Sequence, residues 1–347
     1  MAYTTIDDPS AYFQTKIYTG TGSSNAITND GNSDLQPDWI WGKARNQTYN
    51  HNVFDTSRGL DKRLTADQAD AENTDSTTIT AVGSDGFTLG TSANLNGSSV
   101  NYVAWQWKAN GGTTSSNTDG SITSTVQADT TAGFSIVTYT GTGSAATIGH
   151  GLGSTPKVII TKDRDALENW VVHHHKLGAT FILRMDQNDA KVDASSYNDT
   201  LPTSTVFSVE AGGSINQNTN KYVSYCFAEK QGYSKFGSFT GNGSTDGPFV
   251  YTGFKPAWLM YKEDESAGGW GIWDNKRVTY NPINIRLLAN TNAADDTSND
   301  NRQDFLSNGF KVRNSSGGFN ESGRTIYYMA FAEHPFVSSE GVPTTAR

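Results

Sequence analysis

Apolar and polar residues alternate with a period of two over short stretches along this chain, and the clearest stretch occurs three times. Tyr102-Val103-Ala104-Trp105-Gln106-Trp107-Lys108 returns as Tyr222-Val223-Ser224-Tyr225-Cys226-Phe227-Ala228 and as Tyr328-Met329-Ala330-Phe331-Ala332. Successive side chains on a strand point to opposite faces. Val103, Trp105 and Trp107 therefore share one face, and Tyr102, Ala104 and Gln106 the other. The second copy sorts Val223, Tyr225 and Phe227 from Tyr222, Ser224, Cys226 and Ala228, and the third sorts Met329 and Phe331 from Tyr328, Ala330 and Ala332. The pattern predicts a core strand of a layered β-structure, with its bulky face filling the core and its small face allowing close approach from behind. Each copy is predicted to close one domain.

Other landmarks keep the same order around it. Each unit opens on an aromatic-Thr-Gly turn, at Tyr18-Thr19-Gly20, Tyr139-Thr140-Gly141 and Phe239-Thr240-Gly241. The spans from these aromatics to Tyr102, Tyr222 and Tyr328 are nearly equal, the signature of an internal repeat. A proline-led strand follows, at Pro37 to Trp41, Pro156 to Ile160 and Pro256 to Met260, each running on to a lysine (Lys43, Lys162, Lys262). Proline at the first residue of a strand loses no ladder bond that matters. A phenylalanine-centred strand (Phe87, Phe207, Phe310) and an asparagine-bearing loop (Asn96, Asn216, Asn320) precede the closing strand. Six to eight short strands per unit suit a small two-sheet sandwich. The predicted fold is all-β, three tandem antiparallel β-sandwich repeats at 1–108, 133–232 and 233–347, with the strand order, jelly-roll or immunoglobulin-like, left open. The stretch 109–132 is almost all Gly, Ser, Thr, Asn and Asp, with Ile122 and Val126 as its aliphatic anchors, and reads as an extended, solvated linker. The tail after Ala332, ending in Pro343-Thr344-Thr345-Ala346-Arg347, is expected to drape over a surface.

Composition narrows the class. Only 35% of the 347 residues are hydrophobic, but 11% are aromatic, too many for a disordered chain. Lys+Arg 26 against Asp+Glu 35 gives a net charge of −9 with no basic run, which disfavours a nucleic-acid partner. The single cysteine, Cys226, excludes an intrachain disulfide framework and falls on a core strand, where it reads as a small buried residue. The first residues carry no basic and apolar leader pattern, and no stretch approaches the roughly 18 apolar residues of a membrane span. The expectation is a chain neither conventionally exported nor inserted in a membrane.

Candidate chemistry is sparse. Gly20-Thr21-Gly22, Gly141-Thr142-Gly143 and Gly241-Asn242-Gly243 look like phosphate loops, but a phosphate cradle must open a helix, so strand turns are expected instead. In His173-His174-His175 alternate residues face opposite ways, so at most His173 and His175 could share an ion, and no other histidine has ligand spacing. No metal, cofactor or catalytic residue is predicted. Counting sixteen residues from the third residue of each proline strand reaches Asp55, Asp274 and His174. Asp55 and Asp274 each have an arginine three residues on (Arg58, Arg277), which reads as a pair bracing a turn or, more sharply, as a glycan- or ion-binding group. Acidic runs such as Glu263-Asp264-Glu265 lack the paired spacing of a glycosidase, and no nucleophile elbow is present. Trp41, Trp170, Trp270 and Trp273 are candidates for stacking on sugar rings, as on lectin-like surfaces.

With these landmarks in view, the chain resembles structural proteins of marine bacteriophages that infect cyanobacteria and other pelagic bacteria. The most specific matching stretches are Ile6-Asp7-Asp8-Pro9-Ser10-Ala11-Tyr12-Phe13-Gln14, Phe227 to Phe236 and Phe331-Ala332-Glu333-His334-Pro335-Phe336. The resemblance implies LamG- or concanavalin-like jelly rolls in a virion component, such as a tail fibre or appendage, assembled in the host cytoplasm. It implies no active site. The partners expected are further copies of the chain, other virion proteins and a host-surface glycan. A capsid decoration protein is the alternative, and a polysaccharide-degrading enzyme a third. The middle unit departs most, with Val158 and His174 where the others have Trp and Asp.

Overall fold

The computed structural model describes residues 2–265, 268–298 and 302–345; Ala346 and Arg347 of the tail lie outside the described residues. The fold is all-β, built from multiple antiparallel sheets. Three large sheets share one strand order. In the first, the opening strand Phe13–Thr19 pairs with the closing strand Asn101–Trp107, which pairs with Trp39–Ala44, followed by Asn52–Asp55, Gly59–Thr65 and Asn73–Thr74. The second runs Phe134–Thr140, Lys221–Phe227, Val158–Asp163, Val171–His174, Phe181–Arg184 and Val192–Asp193, and the third Ser234–Thr240, Thr325–Pro335, Phe254–Glu263, Gly271–Asp274 and Leu287–Leu288. Each closing strand is thus sandwiched between the opening and the proline-led strand, paired along both edges.

Three smaller sheets cover the small-residue faces. Asn25–Thr28 pairs with Gly86–Leu89 and then Ile79–Gly83; Ala146–Gly149 pairs with Val206–Val209; Phe249–Tyr251 pairs with Gly309–Val312 and then Gln303–Leu306. In the first, Ile27, Phe87 and Leu89 pack on Tyr102, Ala104, Ile40 and Phe54. In the second, Ile148, Phe207 and Val209 pack on Tyr222, Cys226 and Ile159. In the third, Val250, Phe310 and Val312 pack on Tyr328, Ala330 and Leu259. Cys226 is fully buried there, as its position on the closing strand implied.

The bulky faces do something else. Trp105 and Trp107, Tyr225 and Phe227, and Met329 and Phe331 all belong to a single cluster shared by the three large sheets. Trp39 of the first sheet stacks on Tyr225 of the second, with ring centroids 4.5 Å apart, and Trp107 meets Trp258 of the third edge-on at 5.7 Å. Phe227 and Phe331 close the triangle at 5.8 Å. The expectation that the large side chains fill each unit's own core is therefore corrected. A small-residue face suffices where a covering sheet brings its own apolar side chains, whereas three sheets meeting face to face need aromatic volume to fill the space between them.

Three further corrections follow from register. The partners of Tyr18, Tyr139 and Phe239 are Tyr102, Tyr222 and Ile326, so the third counterpart of Tyr102 is Ile326, two residues before Tyr328. A shift of two preserves the faces, which is why the alternation still sorted correctly. Pro37 and Pro156 precede their strands, but Pro256 lies inside Phe254–Glu263, at a register irregularity between Lys255 and Trp258, the position a β-bulge opens to proline. The segment 109–132 is solvent-exposed over 110–116, but it also carries strand structure. Ala109, Gly111 and Gly112 donate backbone N–H groups to the buried Asp38 carboxylate at 2.8 Å, and Ser115–Asn117 and Ser124–Asp129 extend the second sheet beyond its opening strand. Backbone pairing needs no apolar side chains, so composition concealed these strands.

Candidate functional site

The candidate residues come together at the seams between the large sheets, and each seam uses the same positions. The residue before the third strand is His51, Trp170 or Trp270. Trp170 Nε1 donates to Thr65 O of the first sheet at 2.9 Å, and Trp270 Nε1 to Arg184 O of the second at 2.8 Å. His51 Nε2 lies 3.1 Å from Leu288 O of the third sheet. Trp41 Nε1 donates to His51 Nδ1 at 2.9 Å, which fixes the tautomer and leaves Nε2–H to donate across the seam. The three contacts form a closed ring, with the first sheet bonded to the third.

A second ring is made by Asp55, His174 and Asp274. Asp55 braces its own turn, accepting from Arg58 N at 2.8 Å and Arg58 Nε at 2.5 Å, and its Oδ2 also accepts from Tyr225 OH of the second sheet at 2.7 Å. Asp274 does the same with Arg277 N and Nε, and accepts from Trp105 Nε1 of the first sheet at 3.1 Å. His174 Nε2 reaches Tyr328 O of the third sheet at 3.2 Å. The bracing reading of the Asp/Arg pairs is therefore what the structure contains, extended by a bond to the neighbouring sheet.

A third ring carries the charge. Arg164 and Glu72 pair at 2.8 Å, as do Arg45 and Asp295, and in each case the acidic residue's N–H also donates to the arginine's carbonyl. At the remaining seam the signs are reversed, with Lys191 Nζ 2.7 Å from Asp264 and Lys191 N donating to Asp264 O. The swap is concerted. Glu72 and Asp295 also receive Arg58 and Arg277; at the reversed seam an arginine there would face a lysine, and the chain has Leu177 instead. This accounts for Lys191 and Leu177 in the middle unit.

The expected ligand-binding residues are consequently not on the surface. Trp41, Trp170 and Trp273 are fully buried, Trp270 nearly so, and Asp55 and Asp274 are 1% and 0% exposed. Trp41, Trp170 and Trp270 fill the shared core and Trp273 the third sheet's own, so none presents a ring face to a sugar. Sequence reasoning missed Glu72, Lys191 and Asp295, and the histidine His51 equivalent to two tryptophans. Spacing from the proline strand would have found His51, which stands where Trp170 and Trp270 do.

Lys43, Lys162 and Lys262 are buried with their ammonium groups among backbone carbonyls. Lys162 Nζ donates to Ala69 O, in the loop after Gly59–Thr65, at 3.1 Å, and Lys262 Nζ to Asn188 O, in the loop after Phe181–Arg184, at 3.4 Å. Burial lowers the pKa of all three to about 8, offset in part by nearby carboxylates. The Gly-Thr-Gly turns are strand turns held by the repeated asparagines. Asn216 Nδ2 donates to Ser144 O and Glu210 O, and its Oδ1 accepts from Thr142 N; Asn96 and Asn320 repeat this at Thr21 and Asn242. Replacing Asn216 with Ala is expected to cost about 1–3 kcal/mol, the penalty for orphaned buried backbone groups, measurable by urea denaturation.

His173 is 1% exposed, its ring 5.5 Å from Tyr197, and neither ring nitrogen has a hydrogen-bond partner among the described residues. Burial and the neighbouring His175 lower its pKa to about 4. His174 is lowered to about 3 by burial first and by His175 second. A histidine depressed in the folded state contributes full stability above the unfolded value near 6.5 and loses it as pH falls from there toward 4. At pH 5, His173→Phe is therefore expected to gain about 2 kcal/mol on the parent protein relative to their difference at pH 7.5, read from paired denaturation curves. Among the described residues, no group of three His, Cys, Asp or Glu side chains is placed to hold a metal ion.

One seam is open. Between the opening strand of the first sheet and the turn after Asp274 lies a crevice of about 240 Å³, floored by Phe13, Ala257 and Ala332 and rimmed by Gln14, Thr15, Asn275, Glu333 and His334. Asp30 and Lys276 pair across it at 2.8 Å, with both groups partly exposed. Large apolar side chains are exposed elsewhere, notably Phe249 at 47% and Tyr251 at 52%. No curated protein and no solved structure matches the chain. A family model matches residues 8–335, and the chain belongs to that family, described as Domain of unknown function (DUF7483).

Proposed function

We propose that the protein is a structural virion component, a tail fibre or appendage subunit of a bacteriophage, built from three tandem jelly-roll-like β-sandwich units and working by assembly and surface presentation. It assembles with further copies of itself and other virion proteins in the host cytoplasm. The observation that carries this reading is where the repeated chemistry goes. The equivalent Asp, Trp, Lys and His positions are spent inside the seams, so what the three units share is a means of joining sheets into one body. The resemblance of the Ile6 to Gln14 and Phe331 to Phe336 stretches to marine phage proteins supports the location.

Host-surface glycan is the ligand this reading assigns to the exposed face. Phe249 and Tyr251 point outward from their strand, where the register-equivalent residues are Ala26 and Thr28 in the first unit and Thr147 and Gly149 in the second. Aromatic faces stack on sugar rings, and these two belong to one unit alone. Phe249→Ala with Tyr251→Ala is expected to abolish binding on an array of host-envelope glycans while leaving the fold intact. Equal binding by parent and variant, or none by the parent, removes the glycan from the account. Imaging labelled protein on virions tests the location: signal at the tail supports the appendage, and signal over the head shows a capsid decoration protein.

A further inference from the structure

Three equivalent places, one at each seam, are filled in different ways. Thr15, Ile136 and Phe236 are register-equivalent, facing Trp105, Tyr225 and Met329 on the closing strands. Lys108 N donates to Tyr12 O, which makes that a hydrogen-bonded pair and the next, Phe13–Trp107, a non-bonded one. Alternation then leaves Thr15 in a non-bonded pair with its own N–H and C=O directed away from the closing strand, toward the sheet edge. Beside Ile136 that edge is taken by the strand Ser124–Asp129, with Gln127 opposite Ile136. The Gln127 side chain, fully buried, accepts from Thr56 Oγ1 at 3.0 Å and Ser57 Oγ at 2.7 Å across the seam. Beside Phe236 the edge carbonyl is met by His175 Nε2 at 2.9 Å.

At Thr15 the edge opens onto the crevice. The residues there equivalent to Thr56 and Ser57 are Asn275 and Lys276, since Asp55 and Asp274 occupy the same register position. Thr15 is 4% exposed and its hydroxyl is buried without a partner among the described residues, and Asn275 is 5% exposed. Both line the crevice. A buried polar group without a partner is uncommon and costly, and the Thr15 hydroxyl lies beside the place where the second sheet puts the Gln127 carboxamide. The Asp30–Lys276 pair over the crevice is partly exposed and of the kind that contributes little, so it does not bar entry.

We propose that the free edge of the Phe13–Thr19 strand is a docking site for an extended polypeptide segment of a partner protein. The segment adds as an antiparallel strand in the place that Ser124–Asp129 takes on the second sheet, with a glutamine or asparagine side chain entering the crevice against Asn275 and Lys276. Main-chain bonds to Phe13 and Thr15 supply affinity, and the carboxamide pocket supplies register and selectivity. This stands apart from the glycan reading, which concerns another face.

The chain's own strand provides the probe. A synthetic peptide of residues 121–131 is titrated into the full chain by calorimetry, with hydrogen exchange read at individual amides. The expected result is saturable binding with new protection at Phe13 and Thr15. Thr15→Pro removes an N–H that lies outside the ladder, so it folds normally and loses binding. Changing the peptide's glutamine to leucine weakens binding at least severalfold without touching the protein. Absence of binding, protection elsewhere, or indifference to both changes overturns the proposal. Small sugars protecting Thr15 where the peptide does not would assign the crevice to a small ligand and equally overturn it.

Discussion

Trp39→Ala is expected to destabilise the protein by about 3–5 kcal/mol, and to do so in all three large sheets at once. Trp39 Nε1 has no hydrogen-bond partner among the described residues, so the substitution removes packing. The lost ring lies 4.5 Å from Tyr225, 4.4 Å from Trp107 and 5.9 Å from Phe227, measured between centroids. The cavity it leaves is walled by the first and second sheets and opens toward the aromatic triangle that includes the third. Residue-resolved hydrogen exchange separates the outcomes. If the core amides of the second and third closing strands lose protection together with those of the first, the core is shared. Faster exchange confined to the first sheet would mean that each unit stands alone.

Asp55→Ala should cost a similar amount, about 3–5 kcal/mol, for a different reason. Arg58 is buried against Asp55 with no side-chain exposure, and removing Asp55 leaves the guanidinium paired with Glu72 alone among the described residues, in a medium that solvates the lost half of its pairing poorly. Tyr225 OH loses its acceptor as well. The double substitution Asp55→Ala with Arg58→Leu is expected to be no worse than the single one. It removes the half-paired charge, Leu177 shows that leucine fits the equivalent place in the second unit, and Glu72 keeps Arg164 at 2.8 Å. Denaturant titration of both singles and the double measures the coupling. Strictly additive losses would show that the pair does not act as one buried unit.

Alternation made the strand faces legible in the sequence: Trp105 and Trp107 were sorted correctly from Tyr102 and Ala104. What lies across each face was not legible, because a period of two says which side chains travel together and nothing about which sheet they meet. The same limit applies to the tryptophans. Trp41, Trp170 and Trp270 were candidates because tryptophan faces stack on sugar rings and no local pattern tells such a ring from a core one; they fill the core shared between the sheets. Position counting did recover Asp55, Asp274 and His174 as one set. Their partners Tyr225, Trp105 and Tyr328 lie more than 150 positions away, and no local pattern connects them. Gln127 and its strand were hidden in a stretch with almost no apolar residues, where only the backbone carries the structural signal.

The central claim is that three sheets with one strand order are joined by a shared aromatic core and rings of seam contacts into a single cooperative body. Differential scanning calorimetry of the full chain tests it most directly. The account predicts one transition whose van't Hoff enthalpy approaches the calorimetric enthalpy. Separate transitions, or a van't Hoff enthalpy of roughly one third of the calorimetric value, would contradict it, because that is the signature of three units unfolding independently.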